Sequence, residues 1–199
     1  MIKQIETSVQ EKVDVIRQMK MMAIAKFIIP FCLAGVAVLF LWFAGSEVYT
    51  KYATVFGIYS FMPLFGLETA IPTGLSLGIH PAALISFLFF TDAVISMFLV
   101  WNLDYTKKIP YIGKLVERTE ENGEKAIKKY KWAKRFGFVG LTIFVIIPFQ
   151  YTGSVAGSIV GRIMGMTPLM TWLAVVIGCS TRSTIWTLIS IGVLSFFLV

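Results

Sequence analysis

Five ionisable side chains stand inside otherwise apolar stretches of this sequence: Glu68, His80, Asp92, Arg162 and Arg182. A charge at the centre of a bilayer costs on the order of 2.5–3.5 kcal/mol even on insertion scales, so each needs a partner or a function. Two chemistries suit them. Glu68 and Asp92 are candidate proton-coupling groups, and Arg162 and Arg182 are candidate binding groups for an anion such as a phosphate. Asp92 falls near mid-membrane, about 16 Å past Pro81 at the 1.5 Å rise of a helix. Arg182 lies in the corresponding stretch after Pro168, so a structural Asp92–Arg182 salt bridge competes with the functional reading. The two overlap, because a buried pair that substrate can displace is a coupling device. Arg162 can snorkel to the cytoplasmic interface and hold a lipid phosphate there, while His80 reads as a solvated corner residue. Gln150, Tyr151, Thr152 and Ser154 supply neutral hydrogen-bonding groups suited to a polar headgroup, with Gln150 and Thr152 as candidate substrate contacts.

The elements that must hold these groups follow from composition. The chain has 199 residues, 57% hydrophobic and 15% charged, with a mean hydropathy of +0.78. A soluble domain carries roughly 25% charged residues, so a soluble enzyme is excluded. Cys32 and Cys179 lie in apolar runs and read as buried small residues, and His80 is the single histidine. No disulfide framework, zinc cluster, nucleotide loop or catalytic triad is apparent, and we expect neither enzymatic activity nor a cofactor or metal.

Of 18 Lys+Arg, all but Lys51, Arg162 and Arg182 fall within residues 1–26 and 104–135. Positive segments mark the cytoplasmic side, so both belong there rather than on nucleic acid. Ile2, Ile5, Val9, Val13, Ile16 and Met19 recur at helical steps, which predicts an amphipathic interfacial helix over residues 1–22. A transmembrane helix over 23–44 follows, with Pro30 in its first turn. Residues 81–103 and the run after Pro168 are two further spans. How many crossings residues 168–199 make is open. Residues 104–135 read as a basic cytoplasmic helix or loop, with anionic lipid headgroups as candidate partners.

Two apolar stretches, 52–78 and 136–165, are broken by Pro63, Gly66 and Pro72, and by Pro148, Gly153 and Gly157. If both crossed fully, the two basic segments would face opposite sides. Re-entrant hairpins keep them together. Each broken stretch ends in a Gly-x-x-Pro corner and a long apolar helix, so residues 52–103 and 136–199 read as two repeats in inverted orientation. Broken backbone at membrane depth implies a protein-lined or water-filled cavity. The expected fold is therefore a single all-α polytopic membrane domain, an inverted repeat of re-entrant hairpin plus transmembrane helix preceded by the N-terminal helix and one span. Glycines 153, 157, 161 and 165 would let a hairpin arm pack closely.

The segment Phe61-Met62-Pro63-Leu64-Phe65-Gly66-Leu67-Glu68-Thr69-Ala70-Ile71-Pro72-Thr73-Gly74 resembles the first signature of the small multidrug export protein family. Pro148-Phe149-Gln150-Tyr151-Thr152-Gly153 with Gly157 resembles its second. The family looks related to the DedA/VTT superfamily, whose members are associated with lipid translocation and proton-dependent membrane homeostasis. On alignment at Ala70-Ile71-Pro72, Gly66 falls where that family has its acid and Glu68 where it has an arginine. Glu68 would then supply the acid from a neighbouring position, and Arg162 or Arg182 the cation. The resemblance implies a transporter or scramblase for a phospholipid or polyprenyl-phosphate headgroup in a prokaryotic plasma membrane, with proton coupling as an option and self-association left open. The alternatives are a small-ion or drug/proton antiporter and a non-transporting membrane scaffold.

Overall fold

The structure, a computed structural model, describes residues 2–62, 65–106, 131–147 and 153–192. Pro63, Pro148, Gln150, Thr152 and most of the basic segment 104–135 lie outside the described residues. Those described form seven helices and no strand: α1 (Ile2–Phe43), α2 (Ser46–Phe61), α3 (Gly66–Ser76), α4 (Pro81–Thr106), α5 (Lys131–Ile146), α6 (Ser154–Ile163) and α7 (Pro168–Ser190).

Two matching corners organise the chain. Gly78 (φ 78°) and Gly165 (φ 81°) take the left-handed conformation that a Cβ disfavours. In the first corner the Gly78 N–H bonds to Leu75 O and the Ile79 N–H to Gly74 O. In the second, the Gly165 N–H bonds to Arg162 O and the Met166 N–H to Gly161 O. This closes a helix C-terminus in the Schellman manner. A proline then opens the next helix, where a missing N–H costs nothing. The Thr167 hydroxyl accepts from the Met170 N–H at 3.4 Å, and His80 Nδ1 accepts from the Ala82 N–H at 3.3 Å.

Each corner is preceded by an antiparallel helix pair. A Cβ on Gly66 would come within 2.6 Å of Tyr59 O, and one on Gly74 within 3.2 Å of Val55, so α3 folds back along α2. In the second unit a Cβ on Gly157 would meet Val145 at 2.6 Å, and one on Gly161 would meet Leu141 at 2.6 Å, so α6 folds back along α5. Each unit has its own apolar core. Val55, Ile71, Leu84 and Leu88 centre the first; Leu141, Val145, Val160 and Val175 centre the second. Gly74 packs on Leu84 as Gly161 packs on Thr171, at the same offset that separates Pro81 from Pro168.

The units join where α4 and α7 cross. Trp172 Nε1 donates to Ala93 O at 2.9 Å, Cys179 faces Asp92, and Trp186 packs on the core holding Leu84 and Leu88. Contact positions fall along α4 as they rise along α7, so the two helices are antiparallel.

Among the described residues, three helices are long and apolar enough to cross a membrane: Met21–Phe43, Pro81–Leu103 and Pro168–Ser190. The first is peripheral, with 6% of its apolar window buried against 39% for each of the others. It is held by Asn102 Nδ2, which donates to Lys26 O at 3.0 Å, and by the Phe27, Phe31 and Phe98 rings.

Several sequence boundaries shift. The amphipathic stretch 1–22 and the span 23–44 are one continuous helix, with Pro30 inside it, since no glycine or turn residue separates them. The first unit begins at Ser46 rather than 52, and α5 begins at Lys131 rather than 136, with a non-helical Gly137 (φ 51°) where the apolar part starts. Pro72 and Gly157, expected at breaks, lie inside α3 and α6. Pro72 has no N–H for the Glu68 carbonyl, but its φ suits a helix and the neighbouring Gly74 admits close packing. Of the four spaced glycines, Gly157 and Gly161 make close approaches, whereas Gly153 precedes α6 and Gly165 forms the corner.

Candidate functional site

Asp92 sits mid-helix in α4, at the crossing, and is 1% exposed. Four elements converge on it. Tyr59, in the last turn of α2, donates its hydroxyl to Asp92 Oδ1 at 2.6 Å. Ser154, the first residue of α6, and Cys179 on α7 face the carboxylate, and Arg182, one turn beyond Cys179, acts on it through its charge. Oδ2 is buried and has no hydrogen-bond partner among the described residues. Asp92 stands as far past Pro81 as Cys179 stands past Pro168, so the corresponding position of the second unit carries a thiol, with Arg182 three residues further on.

Arg182 makes its ion pair elsewhere. Its Nη2 lies 3.6 Å from Glu68 Oε1, which ties α7 to α3, and the side chains are 14% and 22% exposed. The expected Asp92–Arg182 bridge is thus replaced by two linked contacts, Asp92 with Tyr59 and Arg182 with Glu68. Glu68 on α3 comes within ion-pair distance of Arg182, while Tyr59 occupies Oδ1 of Asp92.

Arg162 is not brought to this group. It lies about 12 Å along α6 from Ser154, where its Nη1 donates to Met166 O at 3.1 Å within its own corner. His80 is exposed at the other corner. The structure therefore gathers Glu68, Asp92 and Arg182 and leaves Arg162 and His80 apart. Sequence reasoning missed Tyr59 and took Cys179 for packing alone. The register of the two Gly-x-x-Pro corners could have paired Cys179 with Asp92; nothing in an apolar run distinguishes a hydroxyl-bearing Tyr59 from a core aromatic.

Beside this centre lies an apolar cavity of about 330 Å³ between α1, α2 and α4, lined among others by Ala34, Ala37, Tyr52, Phe56, Phe87 and Thr91. Thr91 holds the position in α4 that Gly178 holds in α7. At Gly178 a Cβ would come within 2.8 Å of Val145, so α5 lies directly on α7. No such close seat exists opposite α2.

The described residues are thus helical throughout their regular structure, with three apolar helices long enough to cross a membrane and an ionisable centre buried at a crossing of two of them. Residues 67–185 match the family described as "Putative small multi-drug export protein", and the chain belongs to that family. No curated protein and no solved structure matches it significantly.

Proposed function

We propose that this protein is a membrane transporter or scramblase that moves the phosphate headgroup of a phospholipid or polyprenyl phosphate, with proton coupling at Asp92 and Glu68. The observation that carries the proposal is the half-buried Glu68–Arg182 pair beside the buried Asp92. A phosphate competes with Glu68 for Arg182, and displacement of Glu68 frees a carboxylate to take up a proton. The family's printed description, an export protein, supports a transporter. The apolar cavity supports an amphipathic substrate, since about 330 Å³ accommodates part of an acyl chain beside the polar centre.

In this reading the two units are inverted repeats whose hairpins are re-entrant. Helices α3 and α6, 11 and 10 residues long, are too short to cross a bilayer, and the antiparallel α4 and α7 give the units opposite directions. The Asn102–Lys26 bond sets the C-terminal end of α4 beside the start of the α1 span. That supports a common cytoplasmic side for the N-terminus and residues 104–135, and the positive-inside rule favours the same arrangement. The relation to the DedA/VTT superfamily and a prokaryotic plasma membrane belong to this proposal, as do anionic lipids as partners.

Purified protein in liposomes with a headgroup-labelled phospholipid tests it. We expect labelled lipid to change leaflet with wild-type protein and not with Arg182→Gln. Absence of headgroup movement with and without a pH gradient overturns the proposal. The family description favours a second reading, drug/proton antiport, in which an added amphipathic drug, rather than lipid, drives proton flux through the same liposomes. Inertness toward both leaves a scaffold.

A further inference from the structure

Tyr59 lies at the end of α2, just before the first hairpin break, and Ser154 opens α6 just after the second. Both side chains converge on one carboxylate, Asp92, although they come from different units. We infer that Asp92 is a single proton-binding site shared by the two hairpins, with Tyr59 and Ser154 as the positioning residues through which its occupancy is felt at both breaks. The inference rests on the proton-coupled part of the proposed function and assigns the groups through which coupling would run.

The chemistry is a change of hydrogen-bond roles on one buried carboxyl. As a carboxylate, Asp92 is acceptor-only: Oδ1 takes the Tyr59 hydroxyl, and Oδ2, buried and unsatisfied among the described residues, offers a second acceptor toward Ser154 and Cys179. When a proton binds Oδ2, the new O–H becomes a donor and Ser154 Oγ an acceptor. One bond gains a partner on the second hairpin, and the Tyr59 bond loses its charge assistance on the first. The exchange adds one proton to Oδ2 and turns the Ser154 hydroxyl hydrogen away from it; no covalent bond is broken. The groups facing Asp92 are Tyr59 from α2, Ser154 from α6, and Cys179 and Arg182 from α7. Arg182 is in turn tied to Glu68 from α3. The site therefore touches the last turn of α2 in the first hairpin and the first turn of α6 in the second.

Trp172, bonded to the carbonyl of Ala93 beside Asp92, reports on the site without any transported substrate. The experiment is a pH titration of its fluorescence in protein whose other tryptophans are replaced by Phe, held in phosphatidylglycerol nanodiscs. We expect one single-proton transition, abolished in Asp92→Asn. Tyr59→Phe removes a donor that favours the charged form, so the midpoint moves to higher pH by about one to two pH units, a tenfold to hundredfold gain in proton affinity. Ser154→Ala also shifts the midpoint, and Ser154→Thr restores it. A transition that survives in Asp92→Asn, a midpoint unmoved by both Tyr59→Phe and Ser154→Ala in folded protein, or no transition in the wild type overturns the inference. Because no lipid or drug is moved in this measurement, its failure is distinguishable from failure of the transport proposal.

Discussion

The charge balance of the site turns on which carboxylate Arg182 meets. Arg182 meets Glu68 at 3.6 Å and acts on Asp92 at longer range. Glu68→Gln removes one carboxylate from the mostly buried Arg182, and we expect it to lower stability by about 1–3 kcal/mol in a detergent melt, below the 3–5 kcal/mol of breaking a fully buried pair. Combining it with Arg182→Met should recover part of that loss while leaving headgroup movement absent; recovery of transport in the double variant would make the pair purely structural. A contrasting case is Glu47, whose carboxyl is held below its ordinary value chiefly by the hydrogen bond from Lys51, 2.7 Å away. That contribution is present above the unfolded carboxyl's pKa and is lost as pH falls through the lower folded value. The Glu47 side chain is 81% exposed, so solvent screens the pair and Glu47→Gln should leave the melting temperature unchanged. At this scale the sequence marked Asp92, Glu68 and Arg182, because charge in an apolar run is conspicuous. It left their pairing open between an Asp92–Arg182 bridge and separate sites, because partner choice depends on which face α3 turns toward α7.

Between helices, close approach is the principal device. Gly161 admits Thr171 and Leu141 where a Cβ would clash with both. Gly161→Val should therefore destabilise by about 1–3 kcal/mol or prevent folding. Gly57, in α2, has nothing within 4 Å of its Cβ position, and Gly57→Ala should stabilise by about 0.5–1 kcal/mol. Thermal melts of the two variants check both signs. The Gly-x-x-Pro corners were legible because glycine at positive φ and proline at a helix start each have a local reason. Pro72 and Gly157 misled for the same reason: punctuation residues also occur inside helices when packing needs a small or N–H-free position. The continuity of α1 was illegible because a change from mixed charge to apolar composition alters what surrounds a helix, not its backbone.

For the whole molecule, the decisive relation is the side on which each chain end lies. If α1 and α4 both cross, Asn102 bonded to Lys26 places their neighbouring ends together. Single cysteines at Gln18 and Thr106, in protein with Cys32 and Cys179 replaced, should label from the same face with an impermeant maleimide. Cysteines at Ser46 and His80 should label from the other. Labelling of Gln18 and Thr106 from opposite faces would falsify the re-entrant arrangement. Composition made the apolar character and the three long helices legible, while segregated charge is what the proposed topology rests on. The crossing of α4 with α7 joins residues too distant in the chain for local pattern to reveal.

That crossing also has a consequence for synthesis. Asp92 emerges from the ribosome before Ser154, Cys179 and Arg182 exist, so α4 must enter the bilayer while most of the surroundings of its carboxyl are still untranslated. Tyr59 alone among these neighbours has already been made. Its hydroxyl is thus positioned to shelter Asp92 during insertion, and the second unit completes that shelter only when α7 arrives.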